Sequence, residues 1–169
     1  MKKIINSKYM AVIWTILRVW LGYQWIVAGY EKLINPKWVG AQAGEAITGF
    51  LNGAIAKAAG EHPSVQGWYA SFLNEFALPN AKVFSYVVSF GEVLVGISLV
   101  LGLFTIVGLL AGGFMNLNYM LAGTTSTNPI LYTVTFILLV VGTGAYALGL
   151  DRFALPFIKN IFNKKHITK

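Results

Sequence analysis

Cysteine is absent from this chain of 169 residues. That excludes disulfides, thiol relays, iron–sulfur clusters and zinc–thiolate sites. Histidine is nearly absent: His62 and His166 both lie in polar stretches, so a bis-histidine haem inside an apolar segment is excluded as well. Neither a metal nor an intrinsic cofactor is therefore expected. Charge is scarce too. Asp, Glu, Lys and Arg together make up 11% of the chain, where a soluble domain carries about 25%. Hydrophobic residues make up 56% and the mean hydropathy is +0.64. A chain this apolar, long enough for one domain, has to hide much of its surface in lipid.

What is present is four apolar stretches of about 20 residues, near the length that spans hydrocarbon. They run about 10–34, 82–104, 105–123 and 130–150. The first follows Lys2, Lys3 and Lys8 but is too long for a signal-peptide core, is interrupted by Arg18, and has no small-residue cleavage site after it. It reads as a retained helix. The formal net charge is +7. The basic residues gather at the two ends: Lys2, Lys3 and Lys8, then Arg152, Lys159, Lys164, Lys165 and Lys169. Such short-segment asymmetry sets membrane orientation, so nucleic acid is not an expected partner. The expectation is a multi-pass cell-membrane protein with both termini cytoplasmic and segment 35–80 outside.

That outer segment carries two amphipathic patterns. Ile47, Phe50, Leu51, Ala54, Ile55 and Ala58 recur at helical spacing, and so do Val65, Trp68, Tyr69, Phe72, Leu73 and Phe76. Gly60 and His62–Pro63 separate them. The predicted fold is all-α: a single transmembrane domain over residues 1–169, a four-helix bundle with a two-helix amphipathic insertion between its first and second spans. No sequence repeat or low-complexity tract is seen.

Polar residues inside the apolar stretches carry the functional signal. A charge at mid-bilayer costs about 2.5–3.5 kcal/mol on insertion scales and usually faces the protein interior with a partner. Arg18 and Glu92 are expected to pair, either to lock two helices together or to serve a site. Arg18, Gly22, Trp25, Gly29 and Lys32 share one stripe of the first helix. Ser85, Ser89, Glu92, Gly96 and Leu99 share a face of the second, and Gly108, Gly112, Asn116, Tyr119 and Gly123 a face of the third. The glycines let backbones approach, while Asn116 and Tyr119 need hydrogen-bond partners. Asn118 falls on another face and can meet another helix. The hydroxyl run Thr-Thr-Ser-Thr-Asn-Pro at 124–129 is expected to cap the fourth helix, and can also meet a polar ligand at the outer mouth.

Three segments resemble the DoxX family of bacterial membrane proteins: RVWLGYQWIVAGYEKL, GEVLVGISLVLGLFT and MNLNYMLAGTTSTNP. The family's Arg, glycines and Lys, then Gly-Glu and a Gly-x-x-Thr exit, fall on Arg18, Gly22, Gly29, Lys32, Gly91, Glu92, Gly96, Gly102 and Thr105. Members are similar to the small subunit of a thiosulfate:quinone oxidoreductase; others are associated with membrane oxidoreductase complexes, with superoxide dismutase and a sulfurtransferase as partners, or with resistance to quinones and catechols. The resemblance implies a membrane subunit or accessory of a quinone-linked redox system. A quinone-like molecule would bind among Arg18, Trp25, Lys32, Glu92, Asn116 and Tyr119. The redox centre would lie on a soluble partner protein, and membrane lipid would surround the chain. Catalytic residues are not assigned, and homo-oligomerisation is left open. The alternative reading is a non-enzymatic membrane scaffold or small-molecule exporter.

Overall fold

The computed structural model describes residues 7–167, with side chains through residue 159. Lys2, Lys3 and Lys169, and the side chains of Lys164, Lys165 and His166, lie outside the described residues. Among the described residues all the regular structure is helical and there are no strands. Helix α1 spans Lys8–Leu33. The insertion follows, with α2 at Glu45–Ala56 and α3 at Gly67–Phe72, the latter running into a π-helical turn at Leu73–Ala77. Then come α4 (Ala81–Leu101), α5 (Thr105–Leu121), α6 (Asn128–Val141), the short α7 (Thr143–Tyr146) and α8 (Asp151–Ile167). By length and composition, α1 and α4 are each able to cross a membrane, whereas α5 and α6 are shorter apolar helices.

Helix α1 lies along α4, α4 on α5 and α5 on α6, while α6 and α7 return to α1. The α1–α4 contact is nearly backbone to backbone. A Cβ at Gly22 would stand 2.9 Å from the Gly96 carbonyl oxygen, and one at Gly96 would stand 2.7 Å from the Ile26 nitrogen. These glycines therefore fix an antiparallel register in which Gly22 faces Gly96–Val100 and Gly29 faces Glu92–Val93. Gly96→Ala is expected to force the helices apart, at a cost of about 1–3 kcal/mol from overpacking. Thermal unfolding in mild detergent measures it, with Gly53→Ala, where a Cβ meets nothing within 4 Å, as the neutral control.

The helical stripes read from the sequence are the buried ones. In α1 the buried residues include Arg18, Gly22, Trp25 and Gly29; in α4 they include Ser85, Ser89, Glu92, Gly96 and Leu99; in α5, Gly108, Gly112 and Asn116. Both insertion helices form. In the second, the apolar stripe divides: Val65, Tyr69 and Leu73 are buried, while Trp68, Phe72 and Phe76 face outward. The predicted fourth stretch, 130–150, is not one helix. It breaks at Gly142, whose φ of 61° ends α6. The break lets residues 148–151 fold back against the α4–α5 turn, where Gly149 stands against Gly102. The basic C-terminal segment, in turn, is helical as α8.

Candidate functional site

Arg18 lies apart from the other candidate residues. Its guanidinium is buried near the α4–α5 turn, donating from Nη1 to the Leu99 carbonyl at 2.6 Å and from Nη2 to the Leu148 carbonyl at 3.4 Å. It thereby satisfies a backbone acceptor in the last turn of α4 that would otherwise be orphaned. Asp151 completes this cluster. Its two carboxylate oxygens accept from the backbone N–H groups of Phe104, at 2.7 Å, and Thr105, at 2.8 Å, so it caps the N-terminus of α5. Asp151 also returns its own N–H to the Gly102 carbonyl at 2.8 Å, and its charge acts on Arg18. Sequence reasoning passed over Asp151, which stands at the head of a basic segment; its being one of only six carboxylates was the available signal.

The expected Arg18–Glu92 pair is therefore corrected. Glu92 pairs with Lys32, Nζ to Oε2 at 2.7 Å. Its other oxygen accepts from the Tyr119 hydroxyl at 2.7 Å. The glycine register explains the exchange. Arg18 and Lys32 are about 21 Å apart along α1 at 1.5 Å per residue, and Glu92 stands opposite Gly29, one turn from Lys32. Lys32 also donates to the Ala28 carbonyl at 3.3 Å, and its ammonium lies 5.2 Å from the centre of the Trp38 ring.

Lys32, Glu92 and Tyr119 share one cavity of about 430 Å³ with Trp25 and Asn116, so the structure brings together five of the six candidate residues. The cavity lies at the insertion end, bounded by α1, α4, α5 and α6 and by Ile47 and Phe50 of α2. The hydroxyl run has a different place from the expected one. No side chain caps α6 at Thr127; instead Thr124, Ser126, Thr127 and Asn128 line the mouth of the cavity.

Two of the lining groups lack partners. Both polar atoms of the buried Asn116 amide, and Trp25 Nε1, have no hydrogen-bond partner among the described residues. The Trp25 indole packs against Gly112, where a Cβ would stand 3.2 Å from Nε1. A buried amide left unpaired costs about 1–3 kcal/mol, so a stable fold carrying one in a roomy cavity calls for something that supplies the bonds. The donors and acceptor available are an amide, an indole N–H, a hydroxyl and an ion pair, set beside the aromatic faces of Trp38 and Phe50. That set suits a flat molecule with polar atoms on its edge.

The insertion is tied to the bundle beside the cavity. The Tyr69 hydroxyl lies 3.0 Å from both the backbone and side-chain oxygens of Asn118, Lys57 donates to the Gly123 carbonyl, and Ser85 donates to the Trp38 carbonyl. Burial pushes the Tyr69 hydroxyl up to about 12, keeping it a donor across the neutral range. Asn118 thus meets another helix, as its separate face implied.

Among the described residues the elements are all helices, and two of them are apolar and long enough to cross a membrane, which fits a helical membrane protein. The DoxX family profile matches residues 13–124, well over half of the sequence, and the chain belongs to that family of membrane proteins. The matched region contains all six candidate residues; α6, α7, α8 and Asp151 lie beyond it. No curated protein and no solved structure matches the chain.

Proposed function

We propose that this chain is a membrane-embedded binding subunit for a small planar, quinone-like molecule, held in the cavity at the insertion end and serving a redox centre on another protein. The observation that carries the reading is the unpaired Asn116 amide, buried in the wall of the cavity that Trp25, with its own unpaired indole N–H, also lines. The amide N–H₂ donates to a ring carbonyl, and Trp38 and Phe50 offer faces for stacking. About 430 Å³ is ample for one or two fused rings. Lys32, Glu92 and Tyr119 form a chain of hydrogen bonds able to hold or pass a proton at the cavity wall. The association of DoxX proteins with quinone-linked oxidoreductases supports the same class of ligand.

In this reading α1, α4, α5 and the α6–α7 pair cross the cell membrane, and α8 lies on the cytoplasmic side. Lys8, Arg152 and Lys159 sit toward the α4–α5 turn end, in keeping with a cytoplasmic placement of that end, and the insertion then faces outward.

Asn116→Leu tests the proposal. Leu fills the place of the amide without unpaired polar atoms, so the variant is expected to be as stable as the parent or more so. A chainless 1,4-naphthoquinone at about 100 times its Kd for the parent should stabilise the parent by about 2.7 kcal/mol and a variant that binds about tenfold more weakly by only about 1.4 kcal/mol. Equal stabilisation of both, or a variant that unfolds, would show that Asn116 serves packing and not a ligand.

A further inference from the structure

We propose that the ligand carries an apolar chain, seated in a second chamber that opens sideways between α4 and α5. The site then takes a ring-headed amphiphile from the hydrocarbon rather than a water-borne ring. This inference rests on the ring-binding role of the first cavity. The second chamber, about 460 Å³, is walled chiefly by Phe72, Leu94, Val95, Phe114 and Met115. It adjoins the first: Ile47, Phe50, Val88 and Tyr119 line both. Phe50 and Tyr119 meet edge to face, centroids 6.3 Å apart at 85°, and form the partition. The Tyr119 hydroxyl belongs to the polar side, on Glu92, while its ring belongs to both.

The chemistry of the two chambers is opposite. The first holds an unpaired amide and an ion pair. Of the polar side chains lining the second, Tyr69 and Asn118 bond each other, and the Asn118 amide nitrogen also donates to the Phe114 carbonyl at 2.7 Å. An occupant of the second chamber thus meets a nearly all-apolar wall, which selects hydrocarbon. Gly91 gives it depth, since a Cβ there would meet only Met115 Sδ at 3.5 Å. Leu94 and Phe114 are 65% and 68% exposed, so the mouth opens on the face an apolar solvent would cover. Because lipid chains are as apolar as any ligand chain, the chamber contributes packing and selection and no hydrophobic driving force.

The test uses the full chain in lipid nanodiscs. The probe is a 1,4-naphthoquinone bearing a prenyl chain with a terminal photoreactive diazirine. Cross-links are expected on Leu94, Phe114 and Met115, and an excess of the chainless naphthoquinone should abolish them, because one molecule occupies both chambers. Gly91→Leu should weaken the chain-bearing probe by about tenfold and leave the chainless ring within about twofold. Leu94→Trp, which fills the mouth from an exposed position, should do the same and covers the case where Gly91→Leu fails to fold. Cross-links scattered over outward residues such as Ile16 and Tyr23, or cross-links in the chamber that the chainless ring does not displace, would mark an ordinary lipid groove and overturn the inference while the ring site stands. A chainless ring that neither stabilises the protein nor displaces the probe would overturn both.

Discussion

Lys32→Met is expected to cost about 3–5 kcal/mol of unfolding free energy, and Glu92→Gln distinctly less. The difference follows from which charge is left behind. The Glu92 side chain is 2% exposed, whereas Lys32 is 20% exposed. Without Lys32, the carboxylate, almost wholly buried, keeps only the Tyr119 hydroxyl and has no cation beside it. Without the carboxylate, the ammonium still has the Ala28 carbonyl, the Trp38 ring and the open cavity. Adding Glu92→Leu to Lys32→Met should recover most of the loss, because two apolar groups leave no charge to stabilise. Thermal unfolding of the three variants in mild detergent measures the cycle. Equal single-mutant costs, or additivity in the double mutant, would mean that the buried carboxylate does not depend on Lys32.

Asp151→Ala is expected to cost about 2–4 kcal/mol, although the residue lies outside every apolar stretch of the sequence. The substitution strands two donors, the N–H groups of Phe104 and Thr105, at a buried helix start; each stranded donor costs about 1–3 kcal/mol, and loss of an N-terminal cap alone costs about 1 kcal/mol. Asp151→Asn keeps one acceptor oxygen and should lose less. Arg18→Met should be non-additive with Asp151→Ala, because the two belong to one cluster, and additive with Glu92→Leu, because the glycine register holds that pair apart. Coupling between Arg18 and Glu92, with none to Asp151, would contradict the assignment.

Much of this arrangement was legible in the sequence, because a helix of 3.6 residues per turn puts fixed spacings on one face. The Arg18–Gly29 stripe, the Ser85–Leu99 face and the Gly108–Asn116 face are all buried, and each needed only counting. The partner of a buried charge was not legible. Which residue of α4 stands beside Lys32 depends on how far the helices slide along each other, and that is set by clashes at Gly22, Gly29 and Gly96 that no single-helix pattern contains. Asp151 was hidden for a similar reason. Its role exists only because Gly142 ends α6 and turns the chain back to the α4–α5 turn. The hydroxyl run at 124–127 was expected to cap α6 and instead lines the mouth; a run of hydroxyls serves either use, and only the path of the chain at Thr127 separates them. The outward half of the second insertion stripe, Trp68, Phe72 and Phe76, was likewise beyond periodicity, which shows that a face is apolar but not what covers it.

Occupancy of the cavity lined by Trp25 and Asn116 by a planar ligand is tested most directly through tryptophan fluorescence. Two variants are needed, each keeping one tryptophan and replacing the other four with Phe: one retains Trp25, in the cavity wall, and the other retains Trp68, exposed on the insertion. Titration with the chainless naphthoquinone in mild detergent should quench the Trp25 protein saturably, and the added Asn116→Leu substitution should weaken the midpoint by about tenfold, the loss of a buried hydrogen bond. Quenching of the Trp68 protein should rise linearly, as simple partitioning requires. Linear quenching of both proteins, indifferent to Asn116, would contradict the account and leave a closed scaffold as the better description of this membrane protein.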